Sequence, residues 1–309
     1  MTAMTRDDGD VGDLRDSSQN LEGCPVLSLR FSLTPARNIL IRMLYLPIAL
    51  YFGLAIYAWL LSDHQIFLPQ PSSYKDSPEI VKLRSTNGNL ISALYLPNPA
   101  ATFTLLVSHG NAEDLGDDRD WLEELRRAGF NVLAFDYQGY GTSQGKPTEK
   151  GSYDDENAAY DYLTGTLNTP SNRIIILGRS VGSGPAVHVA ARRPAAGLIL
   201  QSPFLSAFRV VTRIPLLPFD KFPNATDIRK VRCPVLIIHG TNDEVVGFWH
   251  GQKLFQLANP PKHFVAVEGA HHNDLDMVAG NRYPREVQTF AASLAKPSGD
   301  LPGAAANSF

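Results

Sequence analysis

One stretch of this chain must pass from strand to helix within five residues. Residues 174–177 (IIIL) form an apolar run, Gly178-Arg179-Ser180-Val181-Gly182 follows, and residues 183–191 are mostly small and helix-compatible. A G-x-S-x-G pattern carries meaning only in that setting, where the turn lifts the serine out at the strand's end. The two glycines allow the sharp turn and leave Ser180 Oγ exposed in front of a helix N-terminus. An oxyanion forming there would meet backbone N–H groups and the favourable end of a helix dipole.

The flanking sequence predicts the sheet to which this strand belongs. Residues 79–83 and 90–96 alternate like an early strand pair around the turn signal Asn87-Gly88. Residues 103–108 are a continuous apolar run, as expected of a central strand buried on both faces. Further strands are expected at 131–137, 173–178, 198–201, 235–239 and 263–267, with helices at 121–128, 152–163, 182–193, 248–257 and 285–294. Such alternation predicts the α/β class, a mostly parallel sheet covered by helices on both sides. Ligands in these sheets bind beyond the carboxyl ends of the strands, where every motif discussed here falls. Residues 202–231 break the pattern, being Pro-punctuated and rich in Phe204, Phe208, Ile214, Leu216, Leu217, Phe219 and Phe222. They read equally as a small apolar cap over a substrate groove or as an irregular helix packed on the core.

Composition narrows the function. Apolar residues make up 44% and charged residues 19%, which describes a globular chain with an ample core. With 28 basic against 31 acidic side chains and no basic patch interleaved with aromatics, nucleic acid is not an expected partner. Cys24 and Cys233 are the two cysteines, and their spacing supports neither a zinc site nor a disulfide scaffold.

Residues 43–61 (MLYLPIALYFGLAIYAWLL) carry no charge. Nineteen helical residues reach roughly 28 Å, close to the thickness of a bilayer's hydrocarbon. Tyr45 near one end, and Tyr57 and Trp59 near the other, suit the two interfacial belts, and Pro47 is expected in the first turns. A membrane span is therefore expected rather than a buried core helix. Arg30, Arg37 and Arg42 precede it, whereas Asp63 and His64 follow, with Lys75 further on. That asymmetry predicts a cytoplasmic N-terminus and a large domain on the extracytoplasmic side. A cleaved signal peptide fits less well, because a long acidic segment precedes the run and no small-x-small site follows. Leu21-Glu22-Gly23-Cys24 resembles a lipoprotein box but lacks a preceding apolar region.

A serine hydroxyl needs a base to become a nucleophile, and the base needs an orienting acid. Chain order in G-x-S-x-G hydrolases is serine, acid, histidine. Asp243, beyond the 235–239 strand, is the expected acid, with Glu244 its adjacent competitor. His272, beyond the last strand, is the expected base, and His271 the rival. His109 and His239 are expected to bond to backbone, and His188 to be structural. Val181 N–H is one expected oxyanion donor, and Asn111 N–H, after His109-Gly110, the second.

The segments SHGNAEDLG, FDYQGYGTSQG, GRSVGSGPAV, HGTNDEVV and EGAHHND together resemble the α/β-hydrolase family. Within it the resemblance is greatest to membrane-anchored serine hydrolases that include the protein depalmitoylases and their bacterial relatives. It covers about residues 79–295 and implies Ser180 as nucleophile, Asp243 as acid, His272 as base, and Asn111 and Val181 as oxyanion donors. Relatives often carry glycine at the position of His271, which favours His272. The depalmitoylases have an N-terminal cysteine cluster where this chain has an apolar segment. With the polar, Asp- and Ser-rich start and the Pro-, Gly- and Ala-rich end read as disordered, the expected layout is a disordered segment at 1–37, an anchor at 38–62, a linker at 63–78, a hydrolase domain at 79–295 with a cap at 202–231, and a disordered tail from 296. The implied activity is cleavage of carboxylic ester or thioester bonds through an acyl-enzyme. The substrate would be a small-molecule or lipid-like acyl ester, with the bilayer as partner and neither metal nor cofactor. A peptidase or amidase on the same fold and a catalytically silent binding protein are the alternatives. A dehalogenase would normally place Asp at the elbow.

Overall fold

The structure, a computed structural model, describes residues 35–295. The disorder expected at 1–37 and 296–309 lies outside that range, except for residues 35–37, which open the first helix. Eight strands form one sheet: β1 (Ile80–Arg84), β2 (Leu90–Leu96), β3 (Thr104–Ser108), β4 (Asn131–Phe135), β5 (Ile174–Arg179), β6 (Gly197–Gln201), β7 (Val235–Gly240) and β8 (Lys262–Val267). Their order is 1-2-4-3-5-6-7-8. The β1–β2 and β2–β4 pairs are antiparallel and the rest parallel. Gly88, at φ +91, makes the tight turn between β1 and β2. The parallel pairs need crossovers, and helices supply them.

The crossover helices are α2 (Arg119–Arg127), α3 (Glu149–Asp161), α4 (Ser183–Ala190) and α7 (Trp249–Leu257), with the short α5 (Ala207–Val211) and α6 (Asn224–Asp227) before β7, while α8 (Leu275–Ala279) and α9 (Arg282–Leu294) follow β8. Alternate strand residues feed opposite cores. Leu106, Leu133, Ile176 and Ile237 face Tyr160 of α3 and Val187 of α4. Leu105, Val132, Ile175 and Leu236 face Leu122 of α2 and Phe290 of α9. Helix α3 starts at Glu149, earlier than expected, because Thr148 caps it by accepting the Gly151 N–H. Helix α4 stops at Ala190, earlier than the expected residue 193, since Pro194 disfavours helical backbone at the preceding residue. Helix α8 was not predicted, and α5 and α6 fall within residues 202–231, where an irregular helix was one of the two readings.

Helix α1 (Pro35–Ile66) includes an apolar stretch, Arg42–Ile66, of mean hydropathy 1.8. Pro47, expected in the first turns, lies in the interior because the helix starts at Pro35. The side chains of Leu46, Leu50 and Leu60 are exposed, so this is not a core helix. Contacts divide the chain within α1, between Phe52 and Gly53.

The expected linker, 63–78, is instead bonded to the sheet domain. Asp63 Oδ1 lies 3.1 Å from Lys221 Nζ. Phe67 is buried against the rings of Tyr137, Tyr140 and Phe222. Ser73 N–H donates to Asp114 Oδ2 at 2.8 Å, and the Tyr74 hydroxyl donates to Asp136. Residues 202–231 combine both readings offered for them. Phe204 and Phe222 are buried in the core, whereas Phe208, Leu217 and Phe219 line the cavity before Ser180.

Candidate active site

The sheet order reverses at β3, which has β4 on one side and β5 on the other. Ser108 at the end of β3 is in register with Gly178, and Gly240 at the end of β7 with Val267. The loops after β3, β5, β7 and β8 therefore meet at one rim, the place where open α/β sheets bind ligands.

At the elbow, Ser180 adopts φ +52, a left-handed conformation that costs a non-glycine residue about 1 kcal/mol or more. Two close approaches hold it there. A Cβ on Gly178 would fall 2.4 Å from Gly182 O, and one on Gly182 would fall 2.2 Å from Ser108 O. Both positions thus admit only glycine without backbone movement. Ser180 Oγ and His272 Nε2 are 2.8 Å apart. His272 Nδ1 lies 2.8 Å from Asp243 Oδ2, while Asp243 Oδ1 accepts the N–H groups of Val245 and Val246. Burial pushes the Asp243 carboxyl up, but hydrogen bonds from His239 and His272 and the His272 charge outweigh it and hold it well below the usual range. Asp243 is thus a buried, ionised acceptor for the imidazole N–H. His239 bonds to backbone as expected, its Nε2 donating to Val246 O at 2.8 Å, and it adds an approach absent from the expectations, 3.3 Å from Asp243 Oδ2.

The remaining candidates fall elsewhere. His271 is exposed and its Nδ1 sits 2.9 Å from Glu244 Oε2, so the two rivals pair with each other. Burial pushes the His109 imidazole down to about 4, and its Nδ1 bonds to Gly110 O. His188 stacks on Tyr153 with ring centroids 3.7 Å apart. Asn111 and Val181 line the cavity beside Ser180, and Val181 lies in the first turn of a short 3-10 helix, where N–H groups have no intrahelical acceptor. The Asn111 amide itself is committed: Oδ1 accepts from Leu68 N and the Tyr140 hydroxyl, and Nδ2 donates to Ile66 O.

A family model described as serine aminopeptidase, S33, matches residues 99–219. The human alpha/beta hydrolase domain-containing protein 17B is 43% identical over 210 residues, covering 67% of this chain and 73% of that one. The Caenorhabditis elegans alpha/beta hydrolase domain-containing protein aho-3 is 38% identical over 219 residues, 68% of this chain and 65% of that one. The chain belongs to the alpha/beta hydrolase domain-containing protein 17 family. Among solved structures the Pyrococcus furiosus esterase Pf2001 superposes with a TM-score of 0.63 at 22% identity, over 73% of this chain and 98% of that one, a likeness of fold. This family-17 chain is accordingly an α/β serine hydrolase.

Within this hydrolase, one cluster beside the elbow escaped the sequence. Arg179 Nη2 lies 3.3 Å from Glu113 Oε1 and Nη1 3.4 Å from Asp118 Oδ1, with its guanidinium 5.5 Å from the Trp121 ring centre. Glu113 Oε2 accepts the Gly110 N–H at 3.1 Å. Gly110 makes room for Glu113, whose Oε2 a Cβ would meet at 2.5 Å. One half-buried cation thus joins the nucleophile turn to the loop after β3.

Proposed function

We propose that this family-17 protein is a membrane-anchored serine hydrolase that cleaves carboxylic ester or thioester bonds. The observation that carries the reading is the continuous hydrogen-bonded line from Ser180 Oγ through the His272 ring to Asp243. His272 Nε2 removes the Ser180 proton as Oγ attacks the acyl carbon. Backbone N–H groups of Asn111 and Val181 receive the developing oxyanion. His272 then passes the proton to the departing alcohol or thiol, leaving an acyl-Ser180 ester. Water, deprotonated by the same imidazole, attacks that ester and releases the acid. Asp243 fixes the tautomer and stabilises the imidazolium at both stages. The long apolar helix supports anchoring, and the arginines before it support a cytoplasmic N-terminus with the hydrolase on the far side.

Ser180→Ala is expected to lower hydrolysis of a p-nitrophenyl ester about a million-fold and to abolish labelling by a fluorophosphonate probe. Turnover at the wild-type rate in that variant would remove the assignment. A second reading, a peptidase, is favoured by the S33 description of the matching family model. Aminoacyl amides turned over faster than esters by the wild type would select it.

A further inference from the structure

The cavity in front of Ser180 has a volume of 590 Å3, a size that accepts an extended small ligand. Leu54, Tyr57, Ala58, Ser62, Gln65 and Ile66 of α1 line it. Leu54, Ala58, Ser62 and Ile66 follow one another at intervals of four, with Tyr57 and Gln65 beside them, which places all six on a single stripe of that helix. All six lie after Gly53, in the same unit as Ser180. Phe208, Leu217 and Phe219 also line it, together with the exposed Val211 and Leu216. The cavity is thus lined largely by apolar side chains and takes in the nucleophile.

Leu54, Tyr57 and Ala58 have a second allegiance, because they also belong to the charge-free run 43–61. A helix that spans a bilayer with these residues cannot at the same time hold the groove far out in water. The geometry points to the α1 stripe as one wall of the acyl-chain subsite. The occupant is a single acyl chain whose carbonyl carbon lies at Ser180 and whose tail runs between α1 and the cap. The mouth then stands at the level of the lipid tails, and the anchor doubles as the ruler of the substrate. This inference rests on the ester or thioester hydrolase reading and on the membrane span.

The test uses the full chain in detergent with soluble p-nitrophenyl butyrate and octanoate, comparing their kcat/KM ratio. From water, each added methylene buried in the groove raises kcat/KM by up to about fourfold, so the wild type prefers octanoate. Ala58→Trp fills the wall and is expected to lower the octanoate-to-butyrate ratio at least tenfold. Leu60→Trp, on the opposite face of the same helix, leaves the ratio unchanged. Val211→Asp charges the lining, sits on the surface, and lowers the ratio even if Ala58→Trp does not fold. Wild-type ratios in both groove variants would overturn the proposal while leaving the hydrolase intact. Butyrate hydrolysis that survives Ser180→Ala would instead defeat the parent reading. For the mouth, a polarity-sensitive dye on Val211→Cys, with Cys24 and Cys233 replaced by Ser, is expected to emit blue-shifted light in nanodiscs of neutral lipid. A water-like spectrum there would remove the bilayer from the proposal.

Discussion

Neighbouring residues in a loop direct their side chains differently, and residues 243–244 and 271–272 show the effect at its sharpest. Asp243 and His272 turn inward and bond at 2.8 Å, while Glu244 and His271 turn outward and bond at 2.9 Å. The residue types and their order along the chain were readable, because G-x-S-x-G chemistry demands an acid and then a base. Which member of each doublet faces inward depends on how β7 and β8 end, and no spacing states that. His271→Ala removes only a solvated ion pair, so ester hydrolysis is expected to stay within about twofold of the wild type. His272→Ala is expected to lose about a million-fold in the same assay. A reversed outcome would exchange the two roles. Arg179 was unreadable for a related reason. Its partners Glu113 and Asp118 come from the loop after β3, and only the β3–β5 pairing brings them together.

Among the elements, strands were the most legible, since continuous apolar runs such as residues 104–108 and 174–177 fit only a sheet covered on both faces. Helix ends were less so, being set by Thr148 and Pro194 rather than by periodicity. The last turns of α1 were the largest surprise, since a charge-free run reads the same whether or not one of its faces lines a groove. The junction of β5 with α4 shows how tightly the elements constrain one another. Gly182 lets the first turn of α4 lie against the backbone of Ser108 and His109 at the end of β3. Gly182→Ala forces that contact apart, and a destabilisation of about 3 kcal/mol is expected from the overpacking, together with loss of activity. Gly165→Ala, where an added Cβ meets open space, is the control. Thermal unfolding midpoints that fall equally in both variants would show that the β3–α4 contact is not what Gly182 serves.

Across the whole molecule, stability against pH is a contest between buried imidazoles and buried carboxyls. Burial, with help from the Arg192 charge, pushes His188 down to about 4, and burial does the same for His109 and His250. Such groups stay neutral in the fold but take up protons near pH 6.5 when unfolded. Their stabilising contribution is complete above about pH 6.5 and is lost as pH falls towards 4. Burial raises Asp136 to about 7 and Asp155 to about 6, which gives the opposite slope: that contribution is present at low pH and lost as pH rises through those values. His188→Gln isolates one side of the contest. Between pH 6.5 and 4 the wild type is expected to lose up to about 3 kcal/mol that this variant keeps, measured by chemical denaturation. Parallel curves for the two proteins would place the His188 proton equally in both states. The strap after α1 has a practical corollary for anyone wishing to excise the apolar helix and obtain a water-soluble enzyme. Phe67 plugs a hole between Tyr137, Tyr140 and Phe222, and the Asn111 amide is laced to Ile66 and Leu68. Scissors placed downstream of Leu68 would unpick the very loop that faces the nucleophile, so the cut belongs upstream of Asp63.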